Sequence, residues 1–270
     1  MHASAKNPVV AYYDAEAQKE WNRLEECWIE FAVTLDRITS RLGTGERVLD
    51  LGGGPGRYAL ALTQRGHAVD LIDLSPAAIA LAGEKAQEQQ ISLRRAAVGD
   101  ARDLSEYGPN SFDAVLCLGP LYHLVDRRDR DRVRDEVARV LRPWGVAFFA
   151  CLSTLAPMHF ACKRPELFAE LAPTATLAAS QDEFRVEAGG AFFTEAVFLH
   201  PDGLDDEFSA PGLEVVEVFG AESLFAQSES ALGKLAEGER DRVLEIARAH
   251  ASSRAARYTS EHLVVVMQKP

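Results

Sequence analysis

The sequence predicts an α/β fold built on a doubly wound, mostly parallel sheet of seven strands. Five short apolar runs alternate with helix-patterned segments between residues 47 and 152, and this alternation is typical of repeated βαβ units. Two further strand-like runs follow near the end of the chain. Glycines come directly after the first run, as they do at a tight turn between a buried strand and a helix. The predicted strands are residues 47–51, 68–74, 92–98, 112–118, 144–152, 213–219 and 262–268.

An amphipathic helix is predicted ahead of the sheet, over residues 11–40, because apolar side chains recur there at steps of three and four residues. Residues 1–10 are expected to be disordered, and Gly43 and Gly45 break the chain before the first strand. The apolar positions of this helix are Trp21, Leu24, Trp28, Phe31, Leu35 and Ile38.

Further helices are predicted over residues 58–65, 76–90 and 126–141. Ser75 is the expected N-cap of the second of these, since Pro76 suits a first helical position. The alternation stops after residue 152. Residues 155–210 therefore indicate an insertion packed over the sheet rather than an independent domain, with a possible short strand at 192–198.

Composition limits the classes of function. The chain has 270 residues, 47% hydrophobic and 26% charged, as in ordinary globular proteins. Its net charge of −12 argues against a nucleic-acid partner, because phosphate binding needs a basic surface. Arginines alternate with aspartates over residues 126–135, which indicates a solvated helix face. No signal peptide or bilayer-spanning run is visible, so a cytoplasmic protein without a membrane partner is expected.

The sequence predicts no metal site and no disulfide. The four cysteines form no C-x-x-C pair, and Cys117 and Cys151 lie in apolar runs, so buried, reduced thiols are expected. The seven histidines are scattered without ligand-like spacing to acids or cysteines.

The glycine-rich stretch after the first strand is the strongest local motif. It reads Val48-Leu49-Asp50-Leu51-Gly52-Gly53-Gly54-Pro55-Gly56-Arg57. Glycines let the backbone pass close to a ligand, and the following helix N-terminus offers free N–H groups. A dinucleotide fingerprint would need a third glycine where Arg57 stands. Asp50 suits a cationic or hydroxyl-bearing ligand better than a pyrophosphate, although a glycine-rich turn without any ligand is the alternative.

Three acids follow three successive strands at their carboxyl ends, where open α/β sheets bind ligands. They are Asp50, Asp73 and Asp100. Asp73 could accept hydrogen bonds from both hydroxyls of a ribose, and Asp100 with the N–H of Ala101 could address an adenine edge. A single Asp in a loop is more often a cap or turn residue. All three beside the glycine loop indicate a nucleoside site.

These features together resemble the class I S-adenosylmethionine-dependent methyltransferases, in particular the methyltransferase-domain or quinone-biosynthesis-like proteins. The resemblance covers residues 45–150 and extends to the last two strands. It implies a Rossmann-like fold and S-adenosylmethionine as cofactor, with Asp73 on the ribose, Leu74 and Ala101 at the adenine, and Leu118 near the methionine part. The cofactor-binding residues that it implies are Asp50, Gly52, Gly53, Gly54, Gly56, Asp73, Leu74, Asp100, Ala101 and Leu118.

The same resemblance implies a division of the chain. Residues 1–42 would form an N-terminal helical lid, 43–153 the cofactor-binding core, 154–212 a substrate cap, and 213–270 the C-terminal part of the sheet. Tyr13 would lie over the transferring methyl group, while Trp21 is read as a core residue. Residues 193–194 and 200–201 would close the pocket from the other side.

The segment after the fourth strand supplies the candidate acceptor contacts, Tyr122 and His123. His123 is the side chain best suited to take a proton near neutral pH, although it could instead hydrogen-bond a neighbouring loop. The candidate catalytic residues are therefore His123, Tyr122 and Tyr13.

The predicted function is methyl transfer from S-adenosylmethionine to a small-molecule acceptor. Neither Asn-Pro-Pro-Tyr nor Asp-Pro-Pro-Tyr follows the fourth strand, which argues against a base-amine acceptor. An NAD-dependent oxidoreductase and a non-enzymatic S-adenosylmethionine-binding protein are the alternatives. The sequence does not predict the acceptor or the oligomeric state.

Overall fold

The computed structural model describes residues 7–187, 194–209 and 211–270. Within them a nine-stranded sheet runs in the order β3-β2-β1-β4-β5-β7-β6, with β9 also against β5 and β8 against β9. The strands are β1 (Arg47–Leu51), β2 (Ala68–Asp73), β3 (Arg95–Val98), β4 (Phe112–Cys117), β5 (Leu141–Ser153), β6 (Glu183–Val186), β7 (Ala196–Leu199), β8 (Glu214–Gly220) and β9 (His262–Gln268).

The helices cover both faces of this sheet and its carboxyl edge. They are α1 (Pro8–Glu26), α2 (Trp28–Thr39), α3 (Arg57–Gln64), α4 (Pro76–Glu88), α5 (Arg127–Val140), α6 (Ala156–Cys162), α7 (Phe168–Ala179), α8 (Leu204–Glu207), α9 (Glu229–Leu232), α10 (Glu237–His250) and α11 (Arg254–Thr259). No helix in the described ranges is both long enough and apolar enough to span a bilayer.

The doubly wound α/β fold is confirmed, and each of the seven predicted strands is present within a few residues of its predicted bounds. Strands β1 to β5 pair in parallel, and β8 and β9 pair antiparallel. Asp50 is in register with Leu71 of β2 and Leu116 of β4. The carboxyl ends of these three central strands therefore meet at one edge.

The insertion extends the sheet, whereas the sequence predicted that it packs over the sheet. Strand β7 pairs with β5 at Leu152 and Ser153, beyond the point where β4 stops pairing with β5, at Phe149. Strand β9 occupies the other edge of β5 at Leu152. The β6–β7 hairpin consequently continues the sheet past the end of β4. Of the strand predicted at 192–198, residues 192 and 193 lie outside the described residues.

The N-terminal prediction of one helix over residues 11–40 is wrong, because the chain breaks at Cys27 into α1 and α2. The carboxylate of Glu229 accepts hydrogen bonds from the N–H groups of Ile29 (2.7 Å) and Glu30 (3.2 Å). These are donors that a helix start leaves free, so a distant residue caps α2. Helix α1 already begins at Pro8, inside the stretch expected to be disordered.

The core lies on both faces of the sheet. Alternate residues of β9 enter opposite layers: Val264 belongs to the core cluster that includes residues of α2, α3 and α10, and Val265 belongs to the cluster that includes residues of α5. This alternation is the period of two of a strand buried on both faces. Cys117 and Cys151 are buried, and all four cysteines are free thiols.

Candidate functional site

A cavity of about 280 Å³ opens at the carboxyl ends of β1, β2 and β4. Its walls are the glycine loop, the loops after β2, β3 and β4, the inner face of α1, and Glu195 of the insertion. The predicted site residues that line it are Tyr13, Asp50, Gly52, Gly53, Gly54, Asp73, Leu74, Asp100, Ala101, Leu118, Tyr122 and His123. Gly56 does not; it precedes α3 with φ 83°, and an added Cβ would lie 3.1 Å from Leu71.

The glycine loop cannot carry side chains in this conformation. Gly52 has φ 67°, and a Cβ there would lie 2.2 Å from Cγ of Pro120. A Cβ on Gly53 would lie 2.5 Å from the carboxyl group of Asp50. Gly54 has φ 55°, and no atom of the described chain lies within 4 Å of its would-be Cβ. Bare backbone thus faces the cavity at Gly54, where a ligand can approach closely.

Asp50 is the most unusual charged group of the cavity. It is 1% exposed, and neither carboxylate oxygen makes a hydrogen bond of ordinary geometry with the described residues, although the backbone N–H of Ala59 is near enough to offset part of the effect of burial on its pKa. Burial raises the pKa of this carboxyl group to about 7, because an ionised carboxylate loses its hydration there. A ligand with positive charge or hydrogen-bond donors would stabilise a buried carboxylate that lacks such partners in the protein.

Asp73 is held by the backbone of two loops. Its Oδ2 atom accepts the N–H of Gly54 at 2.7 Å, and its Oδ1 atom accepts the N–H of Ser75 at 2.8 Å. Each oxygen keeps a second lone pair, and burial raises the pKa of this carboxyl group. Ser75 caps α4 through Ala78, as predicted. Asp73 is therefore fixed beside the glycine loop with capacity to accept two hydroxyl hydrogens.

Asp100 forms an ion pair with Arg102, a contact that the sequence analysis did not predict. The guanidinium of Arg102 donates to both of its oxygens, at 3.0 and 2.7 Å. Arg102 also pairs with Asp129 at 2.8 Å. Much of the hydrogen-bonding capacity of Asp100 is thus used within the protein, and Ala101 remains beside it on the cavity wall.

The structure brings Tyr13 and His123 together, 110 residues apart in the chain. The Oη atom of Tyr13 lies 2.7 Å from Nε2 of His123, and Nδ1 of His123 lies 2.8 Å from the backbone oxygen of Glu195. Burial lowers the pKa of His123 to about 4 and raises that of Tyr13 well above its usual value. Both rings are therefore uncharged at neutral pH.

Two further aromatic residues from the sequence analysis lie in different places: Tyr122 lines the cavity, and Trp21 lies in the core. The ring of Tyr122 packs edge-on against His123 with centroids 4.7 Å apart. Trp21 is a core residue, as expected: it is 6% exposed, and the guanidinium of Arg57 lies 4.2 Å from its ring centroid. This contact gives Arg57 a structural role, because it holds α1 on α3.

The described residues of the two pairs that were expected to close the pocket, 193–194 and 200–201, do not line the cavity. Thr194, His200 and Pro201 are not among the described residues that line the cavity, and Phe193 lies outside the described part of the chain. His200 instead packs edge-on against Tyr258. Glu195, one residue beyond the predicted pair, reaches the cavity because the turn into β7 places its carbonyl over His123.

Two groupings were not predicted. Asp14 accepts hydrogen bonds from the Ser75 hydroxyl at 2.6 Å and the Ala77 N–H at 3.3 Å, which docks α1 on the start of α4. Glu30, Glu222 and His262 have ligand atoms within 4.8 Å of one another. The first pairs with Arg23 at 2.7 Å and the other two with each other at 2.6 Å, so ion pairs account for this cluster.

The residues present fit S-adenosylmethionine. The bare backbone at Gly54, the orphaned carboxylate of Asp50 and the spare lone pairs of Asp73 offer, in one cavity, what a nucleoside with ammonium and sulfonium groups requires.

Comparisons with known proteins show which family the chain is similar to. Residues 48–145 match the model of a family described as a methyltransferase domain. A ubiquinone biosynthesis O-methyltransferase of Alkalilimnicola ehrlichii is 31% identical over 62% of this chain and 68% of its own length. A protein of the same name from Xanthomonas campestris is 34% identical over 53% of this chain and 59% of its own length. The chain therefore spans 68% of the first relative and 59% of the second.

Solved structures agree on the fold. A methyltransferase from Thermotoga maritima, described as a possible histamine N-methyltransferase, has a TM-score of 0.61 at 15% identity, over 96% of this chain and 99% of its own. At that identity the likeness concerns the fold alone.

Proposed function

The chain belongs to the class I S-adenosylmethionine-dependent methyltransferases, and we propose from that premise that it methylates a small molecule bound between the glycine loop and the Tyr13–His123 pair. Its cofactor is S-adenosylmethionine and its chemistry is methyl transfer. The observation that carries the proposal is one cavity that is lined both by Gly54 and Asp73 and by Tyr13 and His123.

In this proposal each end of the cavity has a separate task. Asp73 accepts the ribose hydroxyls, Asp50 faces the positively charged part of the cofactor, and Leu74 with Ala101 flanks the base. The cofactor supplies a reactive methyl group on a sulfonium. The protein then contributes chiefly by holding the acceptor in line with that group and by excluding water, which can lower the barrier by several kcal/mol.

The acceptor is a small molecule in this proposal because the cavity is small, about 280 Å³, and α1, the loop after β4 and Glu195 all line it. A large polymer would need an open groove there. The names of the two relatives favour an oxygen acceptor, although the matches leave about a third or more of each relative's length outside the comparison.

The alternative of an NAD-dependent oxidoreductase lacks a place for the pyrophosphate. Arg57 stands where the dinucleotide fingerprint has its third glycine, and its side chain is committed to Trp21 and Glu25.

Calorimetric titration of the protein with S-adenosylmethionine and with NAD separates the two. Binding of NAD without binding of S-adenosylmethionine would favour the oxidoreductase, and turnover of any acceptor removes the non-enzymatic alternative.

Replacing Asp73 tests the cofactor end directly. Asp73→Ala should weaken S-adenosylhomocysteine binding by about 1–3 kcal/mol, or roughly 5- to 150-fold, because ribose hydroxyls lose their acceptor in a buried site. Asp73→Asn keeps the shape and one acceptor oxygen, so it should lose less. Calorimetry gives both constants, and the exposed Asp103→Ala serves as the matched control. Equal affinities for wild type and Asp73→Ala would remove Asp73 from the site.

A further inference from the structure

We propose that the acceptor is a hydroxyl compound and that its proton leaves through the Tyr13 hydroxyl to the Nε2 atom of His123. This inference rests on the proposed function, since it names the acceptor class and the proton path of the same cavity. It gives Tyr13 the direct contact with the acceptor and makes His123 a positioning residue and proton store behind it.

The direction of the two hydrogen bonds is fixed by Glu195. A backbone carbonyl can only accept, so the Nδ1 atom of His123 carries the hydrogen and donates it over 2.8 Å. In a neutral imidazole the Nε2 atom then holds the lone pair. The Tyr13 hydroxyl must therefore donate to Nε2 across the 2.7 Å contact.

This direction determines what Tyr13 offers to the cavity. Its only hydrogen is given to His123, so its oxygen can only accept from a molecule in the cavity that it lines. A hydroxyl acceptor supplies that hydrogen and must lose it on methylation. A neutral amine attacks with its lone pair and needs no proton removal for the bond to form, and a carbon nucleophile has no such donor. A thiol also loses a hydrogen on methylation, but its S–H group is a weak hydrogen-bond donor. The pair thus matches a hydroxyl.

The transfer balances without any further reactant. The acceptor oxygen bonds to the methyl carbon, and the carbon–sulfur bond breaks with its electron pair left on sulfur. The acceptor's hydrogen passes to Oη of Tyr13 while the hydrogen of Tyr13 passes to Nε2 of His123. The positive charge that began on sulfur ends on the imidazolium of His123, which is hydrogen-bonded to the backbone oxygen of Glu195. The imidazolium then releases its proton to water.

The burial of His123 suits a temporary proton store. Its pKa, lowered to about 4 by burial, keeps the ring neutral before each turnover and favours release of the proton afterwards. A weak base is sufficient, because the hydroxyl proton becomes far more acidic as the oxygen gains the methyl group. Positioned acid–base groups contribute about 10²- to 10⁴-fold to rates.

Tyr13 reaches this position because α1 is docked on the cofactor end. Asp14, the next residue, accepts from Ser75 and Ala77, and the N–H of Ser75 donates to Asp73. The chain of contacts from Asp73 through Ser75 and Asp14 therefore places the Tyr13 hydroxyl, and it links the ribose end of the cavity to the acceptor end.

The test uses Tyr13→Phe, His123→Gln, the double variant, and Tyr12→Phe as matched control. The Tyr12 ring packs edge-on against Tyr13, with centroids 5.2 Å apart, but it is not among the described residues that line the cavity. Phenol, cyclohexanol, aniline and thiophenol serve as acceptor probes of similar size, with radiolabelled S-adenosylmethionine as donor. S-adenosylhomocysteine binding is measured by calorimetry for every variant.

Each single variant should lower kcat on the hydroxyl probes about 100-fold or more, while S-adenosylhomocysteine affinity stays within about threefold. The double variant should be no slower than the worse single variant, since two groups that act as a unit are not additive. Tyr12→Phe should match wild type. Methylation of aniline or thiophenol in preference to both hydroxyl probes would overturn the inference and leave the methyltransferase proposal intact, whereas failure to bind S-adenosylmethionine would defeat that proposal itself.

A second readout does not depend on turnover. Nitrogen-15 NMR of the histidine rings in the S-adenosylhomocysteine complex should show His123 neutral, with its hydrogen on Nδ1, from about pH 5.5 to 8. Tyr13→Phe should change the Nε2 shift and leave Nδ1 protonated. A hydrogen on Nε2, or an imidazolium at pH 6.5, would overturn the relay whatever the activity.

Discussion

Glu207→Gln should destabilise the fold by about 3–5 kcal/mol, because it removes the shared counter-charge of two buried arginines. Glu207 accepts from Nε of Arg130 at 2.8 Å and from Nη1 of Arg134 at 2.9 Å. The two arginines are 1% and 2% exposed, so the prediction of a solvated helix face over residues 126–135 is wrong at these two positions. The carboxylates that would remain on these arginines, Glu183 and Asp131, are 32% and 50% exposed. Loss of the buried partner therefore leaves the arginine charges poorly compensated, and the isosteric amide isolates that electrostatic loss. For a chain of this size the midpoint of thermal unfolding should fall by roughly 6–20 °C.

The chain offers a matched control in Glu183→Gln. Glu183 also pairs with Arg130, at 3.0 Å, but its side chain is 32% exposed, so water can replace the lost contact at a cost of about 1 kcal/mol or less. Scanning calorimetry of both variants measures the difference. Equal midpoints would mean that the buried network contributes no more than a surface pair.

This network also bears on the site, since Arg130 donates to the backbone oxygens of Leu124 and Val125. Both residues line the cavity, in the segment that follows His123. A polar cluster joining α5, α8 and β6 thereby fixes the loop after β4, on which the acceptor end of the cavity depends.

The central strands and the cofactor end could be predicted because their signals are local. Strand β1, the glycine loop and the start of α3 are consecutive in the chain, so hydrophobic period, turn chemistry and helix start specify them together. Asp50 and Asp73 follow from the same logic, since parallel strands end at one edge.

The acceptor end depends on contacts between distant parts of the chain. Tyr13 was singled out by resemblance, but its bond to His123 spans 110 residues. The third group in this set of contacts is the backbone oxygen of Glu195. A contact through the backbone cannot be predicted from the type of residue that makes it. The break at Cys27 has the same origin: Glu229 caps α2 from about 200 residues away, and this tertiary cap overrides a helical period that runs through the break.

Asp50→Asn should stabilise the ligand-free protein at pH 8 while weakening cofactor binding at least tenfold. A carboxyl pKa near 3.9 in the unfolded chain and about 7 in the folded one means that the folded state binds the proton more tightly. Its stability therefore falls as the pH rises from about 4 to 7, by about 4 kcal/mol at most, at 1.36 kcal/mol per pH unit. Asparagine carries no proton to lose, so the variant should lack this decline.

Thermal melts of both proteins between pH 4.5 and 8.5 measure the effect, with the exposed Asp103→Asn as control. The melting curves of wild type and Asp50→Asn should converge towards pH 4.5 and separate by roughly 8–16 °C at pH 8.

A cationic ligand favours the ionised carboxylate, so wild type should release a proton on binding S-adenosylmethionine near pH 6.5. Calorimetry in buffers of different ionisation enthalpy detects that proton, and Asp50→Asn should release none. Parallel melting profiles with equal proton release would place the charge-bearing part of the ligand away from Asp50. The expected opposite signs for stability and affinity follow from one cause, since the carboxylate that is costly to bury alone is the group that a positively charged ligand stabilises.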